Sequence, residues 1–244
     1  MHIHTHDQNH GHSHDHVHHH HHAEESHEVC VSIVPIFNHL EESQMYEIKG
    51  ATQTSSYKKG EIIYSAEDKS DSLYIVSKGK IKIYRLSESG KEQLVRILCA
   101  GDFTGELALF NETIHESYAE AMEETDVCTM KRSDLNGLLL KYPSISLKLL
   151  SEFSNRLEKS ETQITRFATE KVETRIALFL AECMDNEHSR EITLPMAKKD
   201  LASYLGTTPE TISRKLYDLE DDGLIRQKTN RKIEILDLDG LLLI

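Results

Sequence analysis

A chain of 244 residues has room for two compact domains, and 38% hydrophobic with 28% charged residues supplies a core and a well-solvated surface. No run approaches the roughly 18 apolar residues of a bilayer span, no apolar leader opens the chain, and four cysteines without a CxxC pair exclude a disulfide scaffold, a zinc ribbon and a thioredoxin-type motif. The net charge of -13 argues against a uniformly basic nucleic-acid binder, although DNA meets a local face and not the sum. A soluble, cytoplasmic protein without a membrane partner is expected.

Residues 1–28 form a first segment. Residues 1–22 of it hold His2, His4, His6, His10, His12, His14, His16, His18, His19, His20, His21 and His22, mixed with Asp7 and Asp15. Such a tract has almost nothing apolar to bury and is expected to be disordered without a ligand. A metal-binding tail, part of an expression tag and a plain polar tail are the alternatives. The first has a chemical basis, because imidazoles at His-x-His spacing can share one zinc, nickel or copper ion. Zinc or nickel on the tail is therefore an expectation, and a metal buffer or metallochaperone is the function it would suggest.

From residue 29 to 142 the pattern is one of short strands. A short helix over 34–39 and then 43–48 is expected first. Period-two alternation then marks 61–64, 73–76, 81–84, 93–98 and 126–130, with Gly60, Gly79, Gly90 and Gly101 in the gaps. Many short antiparallel strands at this spacing predict a barrel or sandwich.

Residues 143–168 change period. Pro143 can open a helix, and Leu150, Phe153, Leu157, Ser160, Ile164 and Phe167 then recur at alternating steps of three and four. This heptad seam predicts a long helix that buries its apolar row either on its own domain or on the same helix of a second copy, and the regularity of the seam favours the second, a homodimer.

The last segment, 169–244, holds a helix over 171–184, a short strand over 191–194, helices over 197–205 and 209–220, and a hairpin from 224–225 and 233–236. Gly206-Thr-Thr208 joins the two short helices. Leu201, Ala202 and Leu205 give the first a packing face, Thr208 is placed as N-cap and Pro209 as the first helical residue. Ile212 and Leu216 point inward, which leaves Glu210, Ser213 and Arg214 outward near the N-terminal end, where a recognition helix meets base edges. Arg can pair bidentately with guanine, Glu can accept from cytosine N4, and Ser is adaptable. Lys215 next to them, with Arg226, Lys228, Arg231 and Lys232 on the hairpin, supplies candidate phosphate contacts. Between residues 198 and 232 the balance is eight Lys/Arg to six Asp/Glu, so this stretch is locally positive. No nucleophile–base spacing, P-loop or dinucleotide glycine pattern suggests an enzyme.

Several stretches together resemble the CRP/FNR family of bacterial transcription regulators. They are Lys59-Gly-Glu-Ile-Ile-Tyr64, Asp71-Ser-Leu-Tyr-Ile-Val-Ser-Lys-Gly79, Ala100-Gly-Asp-Phe103, Gly105-Glu-Leu-Ala-Leu109 and Glu210-Thr-Ile-Ser-Arg214. The resemblance implies an α+β chain with an N-terminal β-roll (a cyclic-nucleotide-binding-like jelly roll), a long dimerisation helix and a C-terminal winged helix-turn-helix. It also implies a palindromic TTGA-type target in double-stranded DNA and, for an activator, RNA polymerase as a partner. Gly105, Glu106, Leu107 and Ser117 would line an effector pocket or serve the barrel alone.

Two departures bear on the input signal. Where cyclic-AMP-binding members carry Arg followed by Ser or Thr, this chain has Glu116-Ser117, and a carboxylate repels a phosphate, so cyclic AMP is not expected. Oxygen-sensing members hold an iron-sulfur cluster with several N-terminal cysteines. Here Cys30 stands alone, and no iron-sulfur cluster is expected. Cys30 and Cys128 resemble the two cysteines of the FNR-like proteins of Gram-positive bacteria, which implies a reversible disulfide switch. The alternative is two buried apolar cysteines. Cys99 and Cys183 are expected in the core.

Overall fold

The computed structural model describes residues 31–106, 113–187 and 189–244. The tail histidines, Cys30 and Leu107 lie outside the described residues. Two four-stranded antiparallel sheets face each other. The first has the order β1 (Thr52–Tyr57), β10 (Thr125–Lys131), β4 (Ser72–Lys78), β7 (Phe103–Thr104). The second has the order β2 (Ile62–Tyr64), β9 (Tyr118–Ala121), β5 (Lys80–Leu86), β6 (Glu92–Cys99), and β3 (Lys69–Ser70) pairs with β8 (Thr113–Ile114) beside them.

Val76, Ile81, Ile83, Leu98, Ala119 and Val127 fill the space between the sheets. The other face of the first sheet presents Leu73, Ile75, Cys128 and Met130 to a helical layer carrying Val34, Phe37, Ile48, Leu135, Leu138, Ile145 and Leu149. Strand β4 is thus covered on both sides, which is why its sequence reads as a nearly continuous apolar run.

That helical layer contains α1 (Glu42–Gly50), α2 (Arg132–Lys141) and the start of α3 (Pro143–Thr169). The helix expected over 34–39 is instead a series of turns, with Phe37 N and Asn38 N both donating to Val34 O and Leu40 N to Phe37 O. Pro35 cannot donate, and Val34, Ile36 and Phe37 are all buried, a spacing that no single helix face provides. Cys99 is a second correction. It ends β6 on the face opposite buried Leu98 and is exposed, whereas Cys183 is buried as expected.

Helix α3 opens with Pro143 at its first turn and runs 27 residues. Its first turns are anchored by Ile145 and Leu149, both buried. Beyond them Leu150, Leu157 and Ile164 repeat every seven residues and are 63%, 61% and 64% exposed in the single chain. Phe153 leans on its own core, and Phe167 packs beside Arg175 and Gly206. The predicted seam therefore divides into a bare row and a row used within the protomer, with Ser160 exposed between them.

The C-terminal unit contains α4 (Val172–Glu187), α5 (Lys198–Tyr204), α6 (Pro209–Asp221), α7 (Leu238–Leu242) and a three-stranded antiparallel sheet. The sheet order is β11 (Glu191–Thr193), β13 (Lys232–Ile235), β12 (Ile225–Gln227). Ile176, Leu180, Leu201, Ile212, Leu216, Leu219, Ile225, Ile233 and Ile235 form its core. One member of that core, Leu94, comes from β6 of the roll. The two units are also stitched by hydrogen bonds. Leu94 N donates to Ser203 Oγ (2.7 Å), Ser203 Oγ donates to Glu92 O (2.8 Å), and Gln93 Nε2 donates to Ser203 O (2.6 Å).

Candidate nucleic-acid interface and roll cavity

Helix α6 starts as its sequence dictates. Thr208 adopts an extended backbone and its Oγ1 accepts from Thr211 N at 3.3 Å, satisfying one of the free amides of the first turn. The preceding turn needs Gly206, whose φ is +65° and whose missing Cβ would stand 3.3 Å from the Phe167 ring. Ile212, Leu216 and Leu219 bury one face against the core. Glu210, Ser213 and Arg214 are exposed on the other face, and Arg214 forms no ion pair among the described residues.

Backbone hydrogen bonding at its own position, then the Thr208 hydroxyl, holds the Glu210 carboxyl below its usual range, so near neutrality it is a hydrogen-bond acceptor only. Tyr217, exposed three residues beyond Arg214, extends the same face. It was absent from the sequence-based set, although its position relative to Arg214 was the signal for it.

The basic residues around this face each have a partner within the protein. Lys215 is turned away from the exposed triad, because its Nζ lies 3.1 Å from Glu173 of α4 and 3.2 Å from Asp218. It ties α6 to α4. Arg231 donates from Nε (3.2 Å) and Nη2 (2.9 Å) to Leu194 O, bracing the hairpin loop. Arg226 pairs with Glu234 at 3.3 Å, Lys228 with Glu191 at 2.6 Å and Glu234 at 3.4 Å, and Lys232 with Glu191 at 3.6 Å. The hairpin cations sit where a winged helix-turn-helix grips phosphates, but each already has a partner.

A cavity of about 70 Å³ lies inside the roll, lined by Tyr64, Arg96, Thr104, Glu106, His115 and Ser117 among others. It has room for about two waters at roughly 30 Å³ each. Gly105 beside it has φ +85°, and a Cβ there would fall 2.3 Å from Ser72 O, so no larger residue fits. Glu106 is held by Arg96 (2.6 Å) from β6 and Arg156 (2.8 Å) from α3. Burial pushes its carboxyl up, but the two guanidiniums together outweigh that and leave it below the usual range.

His115 stacks on Tyr64 with centroids 3.8 Å apart, and Tyr64 Oη is 3.0 Å from Thr104 Oγ1. The His115 Nε2 is buried without a hydrogen-bond partner among the described residues, and burial pushes its pKa down against the pull of Asp68, Asp71 and Glu106. Glu116 stands at the exposed rim, 2.6 Å from Arg85. Cys128 is buried in β10 with Sγ 3.4 Å from the Thr54 hydroxyl. No group of three His, Cys, Asp or Glu side chains among the described residues is arranged to hold a metal ion, and no described helix is long and apolar enough to cross a membrane.

Residues 54–142 match the Cyclic nucleotide-binding domain family, and residues 174–244 match the Crp-like helix-turn-helix domain family. The chain is similar to the probable transcriptional regulator flp of Lacticaseibacillus casei, 34% identical over 212 residues that cover 87% of this chain and 96% of that one. It is 31% identical over 195 residues to the nitrogen fixation regulation protein FixK of Rhizobium meliloti, covering 80% and 88% of the two chains. Among solved structures it resembles FixK2 from Bradyrhizobium japonicum, with a TM-score of 0.68, 27% identity and coverage of 78% and 95%.

Proposed function

The chain belongs to the CRP/FNR family of DNA-binding transcription regulators, and on that premise we propose that it acts as a homodimer reading a palindrome of TTGA-type half-sites through α6. The observation that carries this reading is the exposed N-terminal face of α6, where Glu210, Ser213 and unpaired Arg214 stand clear of a helix otherwise packed into its domain. Two such faces, presented by one dimer, match a two-fold DNA site. The bare row of Leu150, Leu157 and Ile164 supplies the contact between the copies, since a heptad row left in water has no other reason to be apolar.

Cyclic AMP is not the input on this reading. The cavity is small, both guanidiniums beside it are engaged by Glu106, and Glu116 occupies the rim where a phosphate anchor would stand. Thiol oxidation between Cys30 and Cys128, or metal on the histidine tail, is the input we propose in its place. An activator would add RNA polymerase as a partner.

The test is fluorescence anisotropy of the full chain on a TTGAT-N4-ATCAA duplex at one fixed salt concentration, reduced and oxidised, with and without zinc. Preference over a scrambled duplex is expected, together with a shift in affinity under one of the two inputs. Arg214→Ala should lose about 1–3 kcal/mol at the cognate guanine and relax specificity there. Undiminished discrimination by that variant would overturn the assignment of α6.

A further inference from the structure

Glu191, Glu234 and Arg226 form one cross-strand row on the solvent side of the hairpin sheet. The register sets Glu191 opposite Glu234, and Glu234 opposite Arg226. Their neighbours Ile192, Ile233, Ile235 and Ile225 turn to the other side and are buried. Two carboxylates directly opposite each other repel, so the row is stable only with cations across it. Lys228 bridges both acids, Arg226 takes Glu234, and Lys232 reaches Glu191.

We propose that Glu191 and Glu234 stand in for DNA phosphates, pre-neutralising the hairpin cations and thereby setting how tightly the protein holds DNA of any sequence. The proposal rests on the DNA-binding reading and concerns affinity, whereas the α6 triad concerns sequence. Three cations against two carboxylates leave the row with a charge of only +1, so an arriving phosphate exchanges with a carboxylate and does not meet a bare ammonium. All five side chains retain solvent contact, from 28% for Glu234 to 60% for Arg226. Pairs of this kind add little to stability and exchange readily. The cations thus balance the opposed acids at little net gain in stability, which suits a cluster that opens on contact with DNA.

The direction of the titrations agrees. Lys228 holds the Glu191 carboxyl below its usual range, and Glu191 holds the Lys228 ammonium above its own, so both are charged wherever the protein is folded near neutrality. Weak grip by the hairpin leaves discrimination to α6, because every phosphate contact strengthens target and non-target DNA alike.

The full-chain variants Glu191→Gln and Glu234→Gln test this on the TTGAT-N4-ATCAA duplex and on its scrambled counterpart, titrated from low to moderate salt. Each is expected to bind both duplexes about three- to tenfold more tightly at low salt, with the slope of log K against log salt steeper by up to about 1. Lys228→Gln should move both quantities the other way. A merely structural role for the acids would lower the melting temperature and leave the salt slope alone. Unchanged or weaker binding to both duplexes by both glutamine variants, with an unchanged slope, would overturn the proposal. Failure of the parent protein to prefer the palindrome would overturn the half-site reading only, since the slope on the scrambled duplex still decides the role of the two acids.

Discussion

The molecule carries two clusters of guanidinium or ammonium groups around glutamates, and they differ chiefly in burial. In the roll, Glu106 is clamped between Arg96 and Arg156 with only 15% of its side chain exposed. On the hairpin, Glu191 and Glu234 share Arg226, Lys228 and Lys232 in contact with water. The same ion pairs are fixtures in one place and exchangeable in the other. Desolvation makes the less exposed set the costlier to break, because a charge left behind there has less water to turn to. The exposed set loses little when one partner leaves, since water and salt replace it.

The sharpest way to break that comparison is Glu106→Ala. It would leave two half-buried guanidiniums facing each other without their shared carboxylate and should cost about 3–5 kcal/mol, read as a fall in denaturation midpoint. A loss below about 1 kcal/mol would place Glu106 in the same class as the hairpin glutamates. Because Arg156 lies on α3 and Arg96 on β6, the variant should also loosen the join between the roll and the long helix.

The helix-turn-helix was legible in the sequence because its determinants are local. Thr208, Pro209, Ile212 and Leu216 fall at fixed offsets, and the cap, first turn and buried face all form as those offsets require. The strands β1 and β9 were not legible. Thr-Gln-Thr-Ser-Ser-Tyr carries no apolar alternation, and its pairing rests on β10, some seventy residues away, through contacts such as Ser56 Oγ to Asp126 Oδ1 at 2.6 Å. Strand β9 is Tyr-Ala-Glu-Ala, whose alanines are fully buried yet too small to register as a hydrophobic pattern.

The partners of the charged residues were illegible for a similar reason. Spacing showed Lys215, Lys228 and Arg231 as cations on or near the right face. Their partners, Glu173, Glu191 and the carbonyl of Leu194, come from other elements, which local spacing does not report. The six-residue seam on α3 shows the same limit, since its periodicity was visible but not that Phe153 and Phe167 are spent on their own protomer.

The contact between the roll and the DNA-binding unit lies between these extremes, half buried and neutral. Ser203 both accepts from Leu94 N and donates to Glu92 O, so Ser203→Ala removes two hydrogen bonds at one joint. At about 0.5–1.5 kcal/mol for each bond, the joint should weaken by about 1–3 kcal/mol. Hydrogen exchange is the suitable measurement, with the Leu94 amide expected to lose protection while the sheet interior keeps its own. Unchanged protection at Leu94 would mean that burial of its side chain in the neighbouring core holds the two units together without the hydroxyl.

The smallest expected effect separates the two clusters by pH. His115 sits beside the buried cluster, and burial holds its pKa below the ordinary value in spite of Asp68, Asp71 and Glu106. A group that binds its proton less well when folded makes the unfolded state the better proton acceptor, so stability falls as the pH drops from about 6.5 toward the lowered folded value. The hairpin has no counterpart in that window. Glu191 is held below its ordinary range by Lys228 and loses its contribution only at more acid pH, and Lys228, held above its own range, is charged throughout. Thermal denaturation of the parent chain and of His115→Gln, followed between pH 7.5 and 5.5, should therefore show a steeper decline in the parent. The tail histidines are common to both proteins and cancel in the difference. Parallel profiles would mean that the stacked ring on Tyr64 gains a proton as easily folded as unfolded, and that the roll's interior is as open to water as the hairpin.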